Sequence, residues 1–359
     1  MTELSGRGGG YILVTGGAGF LGTNISDALA ARGDDVLVFD NFSRPRVSEN
    51  GEWLCARHPG KVRILKGDVR DVDALGRAVE GASAVVHLAA QVAVTTSIED
   101  PIEDFETNAR GTLNLLEAVA RRVPEIPVLF ASTNKVYGKL IDDDGFRRGN
   151  ERYVPHEEER THGFGEATPL SFYSPYGCSK GVADQYVIDY SRIFGLRTCV
   201  FRMSCLYGPH QYGSEDQGWV AHFLISAALQ RPIAIYGDGY QVRDVLYVDD
   251  AVRAYLLALD NIDRVAGRAF NLGGGPANAL SLRELLRHIR EINGHLPLVS
   301  YHPWRPGDQL WYVSDTSAIA RELGWRADIG VADGLKRLSA WIAQAFPPED
   351  RSRERKLAS

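Results

Sequence analysis

The sequence predicts an α/β protein, a doubly wound parallel sheet with a smaller mixed α/β lobe in its C-terminal part. Three observations carry this. Short β-branched runs alternate with helical patterns through the first half of the chain. Those runs are apolar throughout rather than at every second residue, as strands covered on both faces are. A glycine-rich turn joins the first run directly to a helical pattern, the arrangement of a βαβ unit.

Taken in order, residues 11–15, 36–40, 62–65, 84–88 and 128–132 read as strands, with helices in the gaps, clearest at 20–32 and 108–122. Residues 139–171 break the rhythm with three consecutive aspartates, HEEER and several arginines. A segment this long without a period reads as a lid or a binding loop, with a solvated insertion as the plainer alternative. Periodicity resumes in a helix at 179–194 and a strand at 199–203. A helix at 219–229, strands at 233–236 and 269–272, and helices at 282–292 and 331–345 follow. The expected division is a nucleotide-binding domain over 10–195 and a substrate lobe over 196–346, some of whose segments return to the first domain. Residues 347–359 read as a flexible tail.

Composition narrows the class. With 359 residues, 44% hydrophobic and 24% charged, the chain can bury one or two large cores. A net charge of −6 argues against a nucleic-acid or anionic-membrane partner, while leaving room for a local phosphate pocket. Cys55, Cys178, Cys199 and Cys205 make no C-x-x-C pair, so reduced thiols, a cytoplasmic location and no metal are expected. No apolar run approaches a signal segment or a membrane span.

Gly16, Gly19 and Gly22 follow the first strand and open a helix, so the chain can turn tightly and present free N–H groups to a pyrophosphate. Asp40 closes the second strand, where a carboxylate accepts hydrogen bonds from ribose hydroxyls. It favours NAD over NADP, and the nearby Arg44 pulls the other way.

The spacing G-x-x-G-x-x-G, together with GDVRD, HLAAQ, NARGTLNLLEAV and SPYGCSKG, resembles the extended short-chain dehydrogenase/reductase family over residues 11–345. The resemblance implies a Rossmann domain and NAD held by Gly16, Gly19, Phe20, Leu21, Gly22, Asp40, Asn41, Ser43, Arg44, Asp68, Val69, Leu88, Ala89, Gln91 and Asn108. Ser174 and Pro175 are expected to start a helix that sets Tyr176 and Lys180, at i and i+4, on one face. In that reading Tyr176, Lys180 and Thr133 are catalytic and Tyr176 and Lys180 also touch NAD. An ammonium beside the phenol is expected to lower its pKa, letting Tyr176 take a sugar hydroxyl proton as hydride leaves.

Family resemblance also implies a nucleotide-diphosphate-sugar substrate met by Thr133, Asn134, Lys135, Ser204, Cys205, Gln211, Arg243, Arg305 and Asp308. In relatives an Asn often stands where Cys205 does. Dehydratases of the family carry Asp-Glu directly after the Thr; here Asn134 and Lys135 follow, which disfavours elimination of water. STNKVYG, HLAAQVAVTTSIEDP, DQGWV and QVRDVL resemble the CDP-sugar 2-epimerase branch. That branch implies an isomerase of carbohydrate biosynthesis acting at C2 of a CDP-(deoxy)hexose, with a homodimer or homotetramer expected from helices 108–122 and 179–194. A 4-epimerase or decarboxylase on the same scaffold, and more remotely a noncatalytic NAD-sensing protein, are the alternatives.

Overall fold

The computed structural model describes residues 10–141, 143–157 and 161–347. In chain order the first half gives β1 (Tyr11–Thr15), α1 (Phe20–Ala31), β2 (Val36–Asp40), α2 (Val47–Arg57), β3 (Val62–Lys66), α3 (Val72–Val79) and β4 (Ala82–His87). Then come α4 (Val94–Glu99), α5 (Pro101–Phe105), a π-turn at Glu106–Arg110, α6 (Gly111–Arg122) and β5 (Val128–Thr133). Past the short strands β6 (Phe146–Arg148) and β7 (Tyr153–Pro155), helix α7 spans Pro175–Phe194. The rest supplies β8 (Thr198–Met203), β9 (Cys205–Tyr207), α8 (Trp219–Leu229), β10 (Ile233–Tyr236), β11 (Val242–Tyr247), α9 (Val248–Asp260), α10 (Ile262–Val265) and β12 (Arg268–Leu272). It closes with β13 (Ala279–Ser281), α11 (Leu282–Asn293), β14 (Val299–His302), β15 (Trp311–Tyr312), α12 (Ser317–Leu323) and α13 (Val331–Ala345).

Seven parallel strands form the central sheet in the order β12-β8-β5-β4-β1-β2-β3. Every residue of β1, β2 and β5 is buried, which is why these strands carry no polar alternation. The strand order reverses between β1 and β4, and a crevice opens there at the carboxyl ends of the strands. Gly16, Leu88 and Thr133 all lie at those ends.

β8 and β12 complete the first sheet, and α9 packs against α1. The remaining strands build small sheets, β11 with β9, β13 and β15, and β10 with β14. One apolar core runs from Val14 and Ile25 through Phe223 and Leu246 to Leu338, so the two parts share an interior.

The segment 139–171 is more structured than its sequence suggests. β6 and β7 form an antiparallel hairpin whose Arg152 makes two bonds to Glu284, at 2.7 and 2.6 Å. Glu284 also completes the capping box of α11 with Ser281. Tyr153 N–H donates to the Tyr240 carbonyl at 2.9 Å, and Arg148 pairs with Asp238 at 2.6 Å. The described part of the segment is therefore pinned to the C-terminal lobe and lines no part of the cavity below. Three-residue strands are too short to show a period, and their holding contacts come from residues far along the chain. The expected tail and part of HEEER lie outside the described residues.

A buried ion pair ties α7 to the sheet. Asp184 and Arg202 meet through two bonds at 3.0 and 2.9 Å, and Ser132 donates to the same carboxylate at 2.7 Å. Side-chain exposure is 0% for Asp184 and 6% for Arg202, so removing one partner strands a charge in the interior. Asp184→Ala is expected to cost about 3–5 kcal/mol in urea unfolding. Ser132→Ala, which loses one hydrogen bond, is expected to cost about 1 kcal/mol.

Candidate active site

The first wall of the site is the turn between β1 and α1. Gly16 has φ +66°, and a Cβ there would stand 2.7 Å from the Ala89 amide nitrogen. On Gly22 a Cβ would overlap the Gly16 carbonyl oxygen. Helix α1 starts with no side-chain cap and no acidic residue in its first turn. Its first residues, Phe20, Leu21 and Gly22, line the cavity, so the positive end of the helix dipole lies against it. Asp40 at the end of β2 accepts from Ala18 N–H at 3.1 Å and Phe42 N–H at 2.9 Å, which fixes its carboxylate beside the turn. Burial pushes its carboxyl above the ordinary value, against the pull of those amides.

A second wall follows β4. His87 is buried, and Thr112 already donates to the Asn108 carbonyl at 2.6 Å. His87 Nε2–H must then donate to Thr112 Oγ1 at 3.0 Å, leaving Nδ1 to accept from Thr15 at 2.6 Å. Burial holds this imidazole down to about 3, so it is a neutral strut. Thr15 Oγ1 in turn accepts from Ala89 N–H at 3.3 Å. Asn108, in the π-turn, accepts from Gln91 N–H at 2.8 Å and donates to the Gln91 carbonyl and to Ser179 Oγ, both at 3.0 Å. The expected direct contact of Asn108 with the cofactor is not what this geometry offers: the side chain lies behind the cavity wall and holds Gln91 to α7.

The third wall carries the candidate chemistry. Ser174 accepts from Gly177 N–H at 3.2 Å, and Pro175 occupies the first turn of α7. Tyr176 N–H donates to Ser97 Oγ at 3.1 Å. The Tyr176 phenol lies beside Thr133, the last residue of β5. Lys180 Nζ sits 4.1 Å from the centre of the Phe130 ring. The expected lowering of the phenol is not seen here. Burial pushes Tyr176 up to about 12, opposed by the neighbouring Thr133 side chain, and pushes Lys180 down to about 7, opposed by Asp184 and Asp104. Sequence names the neighbours of a group, whereas desolvation depends on how deeply the fold places it.

These values set a pH dependence. Between about pH 7 and 10.5 the unfolded chain binds a proton at Lys180 that the folded chain does not, so this residue's contribution to stability rises with pH. Tyr176 acts oppositely between about pH 10 and 12. Lys180→Met is expected to be more stable than the parent at pH 7, with the gap closing by pH 10, as read by urea unfolding at each pH.

One cavity of about 680 Å³ joins the three walls. It is lined by every expected cofactor residue except Asn108, including Asn41, Ser43, Arg44, Asp68 and Val69, and by Thr133, Asn134, Lys135, Ser204, Cys205 and Gln211. Arg70 grips Asp68 and holds its carboxyl well below the usual range. Cys205 Sγ accepts from Trp219 Nε1–H at 3.3 Å, and burial pushes the thiol up.

Arg243, Arg305 and Asp308 stand outside that lining. Arg243 is held by Asp308 at 2.7 Å, and Arg305 by Glu215 at 2.8 Å while stacked 3.7 Å over Tyr236. Sequence reasoning missed Trp219, Gln217 and Gly218 at the start of α8, as well as Val92 and Val94. The apolar run after DQGWV signalled the helix, but nothing in it said that the helix start faces the cavity.

The sequence matches the NAD dependent epimerase/dehydratase family over residues 12–273. It is 40% identical over 339 residues to CDP-paratose 2-epimerase of Salmonella typhi, covering 92% of this chain and 99% of that one. The structure of Thermus thermophilus UDP-glucose 4-epimerase in complex with NAD superposes with a TM-score of 0.78 at 33% identity, over 93% of this chain and 99% of that chain. DesIV, a dTDP-glucose 4,6-dehydratase from Streptomyces venezuelae, gives 0.77 at 31% identity, over 94% and 99%.

Proposed function

Since the chain belongs to the NAD dependent epimerase/dehydratase family, we propose that it is a nucleotide-sugar epimerase inverting C2 of a CDP-(deoxy)hexose through a transient keto-sugar. The observation that carries this is the single cavity in which the glycine turn and Asp40 meet Thr133, Tyr176 and Lys180, with Asn134 and Lys135 next to Thr133. The 40% identity to CDP-paratose 2-epimerase over nearly the whole chain supports the C2 assignment.

NAD fits the residues present. Side-chain-free glycines at Gly16 and Gly22 leave room that any Cβ would fill, and uncapped amides at the start of α1 suit a pyrophosphate. Asp40 suits the ribose hydroxyls, with Asp68, Val69, Leu88, Ala89 and Gln91 along the same wall. Bound NAD would accept a hydride from the sugar carbon and give it back.

The protein's own part is proton transfer and positioning. Thr133 and Tyr176 together hold the sugar hydroxyl, and Tyr176 takes its proton as the carbon is oxidised and returns it at the end. Lys180, buried on the next turn of α7, stabilises negative charge on the phenol oxygen when protonated. Asn134 and Lys135 lack the paired carboxylates that elimination of water needs, so the keto-sugar is reduced again on its other face. Arg243 and Arg305 suit the diphosphate through paired N–H donors.

A second reading, inversion at C4, is favoured by the 31% identity to UDP-glucose 4-epimerase of Erwinia amylovora over 93% of this chain and 98% of that one. The test is to incubate the protein with CDP-, UDP-, dTDP- and GDP-sugars and follow ring-proton couplings by NMR. Inversion at C2 is expected, and inversion at C4 alone would sink the assignment.

Exposed Tyr186, Ile193 and Phe194 on α7, with Ile98, Ile102 and Phe105 nearby, support a homodimer through this face. The four cysteines are free, which supports a cytoplasmic location; separately, no helix among the described residues is long and apolar enough to cross a membrane.

A further inference from the structure

We infer that Asn24 and Asn50 are positioning residues that clip the cofactor turn to the loop between β9 and α8, so that NAD and the nucleotide-sugar each tighten the binding of the other. The inference rests on the epimerase reading above and goes beyond it by naming the residues that join its two binding sites.

Each asparagine bridges the same two segments. Asn24, on α1, donates through Nδ2 to the Phe20 carbonyl at 2.8 Å and to the Pro209 carbonyl at 3.0 Å. Asn50, on α2, donates through Nδ2 to the Ala18 carbonyl at 3.1 Å and to the His210 carbonyl at 3.2 Å. Ala18 and Phe20 belong to the turn that opens α1, and Pro209 and His210 to the loop between β9 and α8. All four partners are carbonyls, which only accept, so the orientation of both amides is fixed. Neither asparagine lines the cavity, so neither serves a ligand directly.

On the cofactor side the clip reaches the residue suited to ribose. Ala18 N–H donates to Asp40 Oδ2 at 3.1 Å while the Ala18 carbonyl takes Asn50, so a single residue stands between Asp40 and the clip. Phe20, whose carbonyl takes Asn24, lines the cavity itself.

On the other side the clip holds a strained turn. His210 has φ +65°, a conformation that a residue with a Cβ keeps only where its surroundings enforce it. Asn50 binds it twice, because Oδ1 also accepts from His210 Nδ1–H at 3.1 Å. The imidazole packs on Trp53 with ring centres 4.2 Å apart, and burial holds it down to about 4, in the neutral form. The next residue, Gln211, enters the cavity wall, with Nε2 donating to the Leu206 carbonyl at 3.1 Å. Its Oε1 is buried with no donor among the described residues, an acceptor suited to a ligand N–H or O–H. Gly218, at the end of the same loop, packs on this amide: a Cβ there would stand 2.8 Å from Gln211 Nε2. A turn that relaxes at His210 therefore carries Gln211 with it, and with Gln211 this side of the cavity.

Coupling requires two sites and an element that both of them bias. Here the element is the clipped pair of segments. NAD held at the start of α1 and at Asp40 keeps the Ala18 and Phe20 carbonyls in place, which favours the clipped loop. A nucleotide-sugar against Gln211 favours it from the other side. Hydride transfer needs both ligands at once, and the clip makes the NAD-loaded enzyme the better binder of the sugar.

The test measures the Kd of CDP by calorimetry on NAD-free and NAD-saturated enzyme, and the Kd of NAD with and without CDP. In the parent, NAD is expected to lower the Kd of CDP by about fivefold or more, and CDP to lower that of NAD by the same factor. Asn50→Ala is expected to bring the factor below about twofold, and Asn24→Ala to lower it as well. At saturating NAD, Asn50→Ala is also expected to raise KM for the CDP-sugar more than it lowers kcat. A factor near one in the parent would overturn the inference. So would an Asn50→Ala enzyme that binds both ligands more weakly yet keeps the parent's factor, which is what a merely structural asparagine gives. Should Asn50→Ala not fold, Asn24→Ala, whose side chain is half-buried, is read by the same criteria. A parent that binds UDP or dTDP in place of CDP would instead overturn the CDP reading, and the factor is then measured with that nucleotide.

Discussion

Tyr176→Phe is expected to lower kcat by about 10³-fold or more while NAD stays bound and KM changes little. The substitution removes one oxygen from a side chain that is already buried, so the ring still fills its place on α7 and the fold is kept. What disappears is the group able to move the proton of the sugar hydroxyl, a contribution of about 10²–10⁴ in positioned acid–base catalysis. Thr133 is then left to hold the substrate oxygen alone. Progress curves and the nicotinamide absorbance of the purified variant check both halves of this expectation. A variant that loses NAD as well would mean that the phenol holds the cofactor more than it moves the proton.

Gly22→Ala is expected to abolish NAD binding, raising its Kd by about 100-fold or more, since the added carbon would overlap the Gly16 carbonyl and crowd Gly17. The backbone cannot yield easily. Gly16 N–H is held by the Phe39 carbonyl at 2.8 Å, and Gly19 N–H by the Gly16 carbonyl at 3.1 Å. The turn must open to admit the methyl, which carries the amides of α1 away from a pyrophosphate. Gly33→Ala serves as the comparison: a Cβ there meets nothing within 4 Å, and it touches no part of the cavity, although its φ of +103° carries backbone strain. Fluorescence titration with NAD separates the two, with weakened binding expected for Gly22→Ala alone.

How much of this was legible in the sequence depended on distance along the chain. The glycine turn, Asp40, Thr133 and the Tyr176–Lys180 pair could be read because each lies at a strand end or a helix start whose local pattern is strong, and parallel strands deliver all their carboxyl ends to one side. Arg243 was different. It sits inside β11, a strand buried at every residue, and its partner Asp308 is 65 residues away, so its pairing and its place outside the cavity lining needed the structure. Asn108 likewise matched a family position, yet its role as a clamp on Gln91 follows from a π-turn that no periodicity announces. The clearest difference concerned charge. The i, i+4 spacing put Tyr176 and Lys180 on successive turns of one helix, but the depth of the site, with Lys180 3% exposed, decides which way their pKa values move.

The central claim is inversion at C2 with the hydrogen of that carbon returned to it. It is tested most directly by incubating the enzyme with a CDP-hexose deuterated at C2 in ordinary water, adding no NAD, and following the products by NMR. The account predicts the C2 epimer with its deuterium retained and no net reduced nicotinamide. Inversion at C4 with C2 untouched, or a C2 epimer whose deuterium has exchanged with water, would contradict it.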